Sequence, residues 1–116
     1  MPTLYHYPNC DTSRKARRWL KDRDIEVQLV DIVAAPPTAS KLKKLHAGSK
    51  LPIAKLFNVS GQSYRSGNFK DKLKDMSTTE ALAALAADGK LIKRPILELA
   101  DNVIVGFSEA AYSDSM

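Results

Sequence analysis

Short β-like alternations and helical repeats succeed each other along the chain. Thr3-Leu4-Tyr5-His6 is rich in β-forming residues and predicts a first strand. A loop from Tyr7 to Asp11 follows, and Thr12 or Ser13 is placed to cap a helix that runs to about Asp22. Ala16, Trp19 and Leu20 recur at the i, i+3, i+4 spacing of one buried helix face, which makes Trp19 a core residue rather than a ligand platform. From Glu26 the chain alternates, then turns apolar through Ile32, and predicts a second strand. A strand, a helix and a strand in such close succession imply a right-handed crossover and parallel pairing.

Pro36-Pro37 ends that unit. Thr38 to Ala47 predicts a short helix with Leu42 and Leu45 inward, lysines outward and Gly48 as its stop. Pro52 opens a helical turn that carries Ile53, Leu56 and Phe57. Ser60-Gly61-Gln62-Ser63 and Ser66-Gly67-Asn68 read as loop. Ser77-Thr78-Thr79-Glu80 is a capping box, and it predicts a helix over roughly Thr78 to Ala87. Ile96 to Leu99 and Val103 to Val105 flank Asp101-Asn102 and predict an antiparallel hairpin. Ser108 then caps a last helix through Tyr112. The expectation is one α/β domain, 1–116, with a helical insertion over roughly 36–90.

Composition narrows the functional classes. With 44% hydrophobic and 27% charged residues the chain is of ordinary globular type. It has no apolar run long enough to span a bilayer, and its N-terminus does not read as a signal peptide, so no membrane partner is expected. A single cysteine argues for a reducing compartment, here the cytoplasm. The net charge of +5 is concentrated in Arg14, Lys15, Arg17, Arg18, Lys21 and Arg23. That cluster reads as a solvated helix face, as an electropositive setting for Cys10, or as a dock for an acidic partner. No zinc-finger or RNP-type motif accompanies it, so direct nucleic-acid binding is not expected. One cysteine and two scattered histidines lack metal-ligand spacing, so no metal is assigned.

Cys10 carries the candidate chemistry. It stands between a strand and a helix N-terminus, where free N–H groups and the helix dipole favour thiolate over thiol. Ser13 occupies the position of the second cysteine in a Cys-x-x-Cys pair. Its hydroxyl can hydrogen-bond the thiolate but cannot close a disulfide. Asp11 opposes a low thiol pKa and Arg14 favours one. His6, four residues earlier, reads either as a base for Cys10 or as a strand-end histidine satisfied by backbone. Arg94-Pro95, taken alone, reads as a surface charge and a strand-start proline.

The string Tyr5-His6-Tyr7-Pro8-Asn9-Cys10-Asp11-Thr12-Ser13-Arg14 resembles the Y-H-x-P-x-C-x-T-S-R loop of glutaredoxin-linked arsenate reductases. Arg94-Pro95-Ile96 resembles their R-P-I element. Leu91-Ile92-Lys93-Arg94-Pro95 and Val105-Gly106-Phe107 are similar to the Spx-like branch. The resemblance runs from about Thr3 to Tyr112 and identifies the chain as a member of the arsenate reductase (ArsC)/Spx family.

The resemblance implies a thioredoxin-like (glutaredoxin-like) mixed four-stranded sheet. It implies that Pro95 is cis and brings Arg94 near Cys10. It also implies a nucleophilic Cys10, a co-substrate thiol such as glutathione, a glutaredoxin partner, and no bound cofactor. Two further arginines hold the oxyanion in arsenate reductases. The expected places read Lys55-Leu56-Phe57-Asn58 and Val105-Gly106-Phe107-Ser108, without arginine, and Arg65 is the candidate replacement. The Spx-like branch implies a different partner, the C-terminal domain of the RNA polymerase α subunit. The leading expectation is a monothiol oxidoreductase. Cys10, Ser13 and Arg94 are its catalytic residues, and His6, Thr12, Arg14 and Pro95 bind substrate. An Spx-like transcriptional regulator and an arsenate reductase with an incomplete oxyanion site are the alternatives.

Overall fold

The computed structural model describes all residues from Met1 to Met116. Strands β1 (Thr3–His6), β2 (Gln28–Asp31), β3 (Ile96–Glu98) and β4 (Val103–Val105) form one mixed sheet in the order β2-β1-β3-β4. β1 and β2 run parallel, joined by helix α1 (Asp11–Asp22). β3 is antiparallel to β1 and to β4. Between β2 and β3 lie α2 (Ala39–Ser49), α3 (Gln62–Ser66), α4 (Phe69–Lys72) and α5 (Thr78–Ala87), and α6 (Glu109–Ser115) ends the chain. The four-stranded sheet with its helical layers is a thioredoxin-like α/β fold.

Strand alternation divides the interior into two cores. The cross-strand set Leu4, Leu97 and Ile104 faces α1 and α6, where Ala16, Trp19, Leu20 and Tyr112 meet it. Tyr5, Ile96 and Val105 face the other way, onto Leu42 and Leu45 of α2 and Leu82 and Leu85 of α5. Trp19 is buried and packs edge-on against Tyr112, with ring centroids 5.4 Å apart. No helix is long and apolar enough to cross a membrane.

Several local expectations are corrected. α1 starts earlier than expected, with Cys10 rather than Thr12 or Ser13 as its N-cap. The Ser13 side chain is turned inward to serve the preceding loop, so it does not cap the helix. β2 starts at Gln28, not Glu26.

Gly48 does not stop α2. It lies inside the helix, where a Cβ would sit 2.7 Å from Val103 Cγ2, so its role is close approach of α2 to β4. The helix ends on Lys50 in the left-handed conformation. The expected loop after Ser60 contains α3 and α4. Tyr64 and Phe69 pack with Phe57 at centroid distances of 6.4 and 5.7 Å, and this tertiary aromatic cluster supports helices that local composition disfavours. The capping box at Ser77 forms as expected, with both Ser77–Glu80 bonds in place.

Candidate active site

β1 delivers the chain into a tight loop that ends on Cys10. The Cys10 N–H donates to the Tyr7 carbonyl at 3.0 Å, and the Cys10 carbonyl accepts the Arg14 N–H at 3.0 Å, the first bond of α1. As N-cap, Cys10 is in the extended region and its side chain lies over the open helix end. Ser13 is fully buried, and its Oγ accepts the Tyr7 N–H at 3.2 Å. With the oxygen so engaged, the Ser13 hydroxyl proton is free to point at sulfur.

The second wall comes from distant sequence. The Arg94-Pro95 peptide is cis, and the Pro95 carbonyl accepts the Gly106 N–H at 2.8 Å. Gly106 has φ +82°, a conformation that favours glycine, and it turns the chain out of β4. An antiparallel bridge between Phe57 and Ile92 clamps the insertion onto this segment. Its flanking bonds, Asn58 N–H to Leu91 O and Lys93 N–H to Leu56 O, are both 2.7 Å. The result is a cleft of about 540 Å³ lined by Cys10, Thr12, Asn58, Ser60, Gly61, Lys93, Arg94, Phe107 and Ser108, among others.

Two influences oppose each other at the thiol. Burial pushes the Cys10 pKa up. The Ser13 N–H, the Arg94 guanidinium, the Ser13 hydroxyl and the Thr12 N–H together pull it down, and the net direction is below the ordinary thiol value. No closed side-chain cap bond holds the neutral thiol, so these donors act chiefly on the ionised form. Arg94 makes no ion pair with any carboxylate. Its guanidinium carbon lies 4.7 Å from the Tyr7 ring centroid, and its one hydrogen bond, to Lys90 O, is long at 3.5 Å.

The other candidates are placed differently. Thr12 lines the cleft and contributes its N–H. Arg14 does not line it; its Nε donates to Pro8 O at 2.9 Å and it pairs with Asp11 at 3.0 Å. Asp11 and Arg14 thus offset each other instead of competing over sulfur. His6 is buried beneath the loop and does not line the cleft. Burial, then the nearby Arg17, lowers its pKa against an opposing pull from Asp31, and its Nδ1 has no hydrogen-bond partner. Pro95 is buried behind Arg94 rather than in the lining. Arg65 donates to Ser60 O at 3.0 Å and is not among the lining residues, so it supplies no cleft cation.

Lys93, Asn58, Ser60 and Gly61 are lining residues that sequence reasoning did not assign to the site. The Phe57–Ile92 bridge holds the Asn58–Gly61 stretch against the Arg94-Pro95 segment, and no local motif marks it; Lys93 adjoins Arg94 in the chain. The molecule has a larger concavity, about 800 Å³, between α1 and the β2 edge. Cys10 does not line it, so size alone does not select the reactive site.

A thiol-bearing N-cap and Arg94 thus line one cleft, while the buried Ser13 and the cis-linked Pro95 support it from outside the lining. The model of the ArsC family matches residues 5–115. The chain belongs to the ArsC family. Within it, the chain is 43% identical over 113 residues to the uncharacterized protein YusI of Bacillus subtilis (strain 168), covering 97% of this chain and 96% of YusI. It is similar to the solved structure of a possible arsenate reductase from Streptococcus mutans UA159, at 40% identity and a TM-score of 0.91, covering 100% and 98% of the two chains. It is also 26% identical over 109 residues to the global transcriptional regulator Spx of Lactiplantibacillus plantarum, covering 94% of this chain and 81% of Spx. The ArsC family therefore joins reductase-like and regulator-like relatives of this chain.

Proposed function

We propose that this ArsC-family protein is a monothiol oxidoreductase whose nucleophile is Cys10 and whose co-substrate is glutathione or another low-molecular-weight thiol. The observation that carries this reading is the placement of Cys10 as a helix N-cap in one cleft with Arg94, which makes no ion pair; the same surroundings pull the thiol pKa down. The Cys10 thiolate attacks the glutathione sulfur of a mixed disulfide. The new bond is Cys10–S–S–glutathione, and the substrate leaves as its thiolate, which takes up a proton. A second glutathione thiolate then attacks the glutathione sulfur of that adduct. Oxidised glutathione forms and the Cys10 thiolate is restored. The mixed disulfide and one free glutathione thus give the substrate thiol and oxidised glutathione; the second half of that product is the glutathionyl group carried in by the substrate. Ser13 leaves no internal sulfur to resolve the adduct, so an external thiol must do it. Arg94, with Lys93 beside it, holds a carboxylate of the incoming thiol.

The test is turnover of a glutathionylated peptide in the presence of glutathione and glutathione reductase, followed by NADPH consumption. Wild type turns over, and Cys10→Ser does not. Equal rates for the two proteins would remove the oxidoreductase reading. Arsenate supplied in place of the peptide, with glutaredoxin present, tests the arsenate reductase alternative. With Lys93 and Arg94 as the cleft cations and no arginine at the other two places, weak or no arsenate-dependent consumption is expected.

The likeness to Spx supports a second reading, binding to the C-terminal domain of the RNA polymerase α subunit. Ser13 removes the Cys-x-x-Cys switch, so such binding would be independent of oxidation. Titration of the isolated domain under reducing and oxidising conditions tests it. Equal micromolar binding in both supports the reading, and no binding in either ends it.

A further inference from the structure

We infer that β2 is the interface of an isologous dimer, in which the edge strands of two copies of this chain pair antiparallel and continue the sheet. This inference is independent of the thiol chemistry. β2 is an edge strand, and the N–H groups of Gln28 and Ile32 are spent on Pro2 and His6 of the β1 side. By strand alternation, those of Leu29 and Asp31 point to the open edge. The strand carries no lysine, proline or bulge of the kind that blunts free edges. Leu29 is 48% exposed, an apolar side chain on the floor of the 800 Å³ groove with Leu20, Ile25 and Val27.

The charges around that groove select a second copy as the occupant. α1 runs back against the parallel pair β1–β2, so the C-terminal end of β2 lies beside the start of α1 and its N-terminal end beside the close of α1. Arg14, Arg17 and Arg18 line the first half of the groove; Lys21, Asp22, Asp24 and Glu26 line the other, which is net acidic. Of these only Arg14 makes an ion pair within the chain, with Asp11, so Arg17, Arg18, Asp22 and Glu26 are free to pair across an interface. An antiparallel two-fold centred on Leu29 sets the basic half of one copy against the acidic half of the other, twice. It also pairs the Leu29 backbone groups with each other and brings the two Leu29 side chains together. A uniformly acidic partner would satisfy only one half of the groove.

Sedimentation of the full chain over a concentration series, with charge-swapped variants, tests the arrangement. Wild type sediments at twice the chain mass, and salt weakens the association. Arg17→Glu with Arg18→Glu makes both contacts acid on acid and yields monomer. Asp22→Arg with Glu26→Arg makes both base on base and also yields monomer. Mixed together, the two variants form a heterodimer, because both contacts become opposite in charge; this recovery also shows that both are folded. A wild type that is monomeric throughout the series overturns the inference. So does a dimer that either pair of substitutions leaves intact, or a mixture of the two variants that stays monomeric.

Discussion

The Arg94 guanidinium stacks over the Tyr7 ring at 4.7 Å and is thereby held against the loop that ends in Cys10. Tyr7 in turn donates its N–H to Ser13 Oγ, and its carbonyl accepts the Cys10 N–H. One residue thus links the arginine, the serine and the cysteine. Arg94 enters from the β3 side of the molecule, and the cis peptide before Pro95 shapes its approach. Both the thiol pKa and the stability of the loop depend on this link.

Arg94→Ala removes a cationic donor from the thiolate. The thiol pKa is expected to rise, and Cys10 alkylation at neutral pH to slow by about three- to tenfold. Arg94→Lys keeps the charge but not the planar stack on Tyr7, and it should fall between the two. Stopped alkylation followed by intact mass measures both.

Ser13→Ala strands the Tyr7 N–H as well as removing a donor to sulfur. It should cost about 1–3 kcal/mol of stability, read from denaturant unfolding, and raise the thiol pKa. Ser13→Cys has a different outcome. With a second sulfur at the serine position, oxidised glutathione should give an internal disulfide between Cys10 and the introduced thiol, in place of a lasting adduct. Intact mass separates the two products. A lasting adduct on the variant would show that the two positions do not reach each other.

His6 makes a pH prediction. Burial holds its folded-state pKa below the ordinary value, so the unfolded chain takes up the proton more readily. The stability that depends on neutral His6 is complete above the unfolded pKa of about 6.5 and declines as pH falls below it. Unfolding midpoints should therefore drop on acidification through that range, and His6→Phe should flatten the drop. An unchanged profile in the variant would assign the acid sensitivity to other groups.

Gly89 lies in the 3-10 turn Gly89–Leu91, against the end of β2. A Cβ there would overlap the Ile32 carbonyl oxygen, which is backbone and cannot step aside. Gly89→Ala is expected to destabilise the fold by about 1–3 kcal/mol, with a matching loss in thermal midpoint.

How much of this was legible in the sequence depended on how local each cause is. The Ser77–Glu80 capping box and the β3–β4 hairpin are written within a few residues of themselves, and both formed as expected. β1 likewise forms over Thr3–His6, where β-forming residues predicted it. Gly48 misled because the reason for that glycine is Val103, far along the chain. α3 and α4 were missed because they rest on Phe57, Tyr64 and Phe69 packing together, which composition around Gly61 and Gly67 conceals. Within the site, the position of Cys10 at a helix start could be read directly. The cis Pro95 and nearby Arg94 followed from resemblance alone, because the base rate for an X-Pro bond favours trans. Asn58 had no signal, since the Phe57–Ile92 bridge brings it to the cleft; Lys93 could have been assigned from its place beside Arg94.

In the proposed mechanism Cys10 is a thiolate nucleophile made by its surroundings. The most direct test is the pH dependence of Cys10 alkylation in the wild-type protein, alongside Arg94→Ala. The wild-type midpoint is expected clearly below the free-cysteine value of about 8.5, and shifted upward in the variant. A wild-type midpoint at or above that value, unmoved by loss of Arg94, would contradict it.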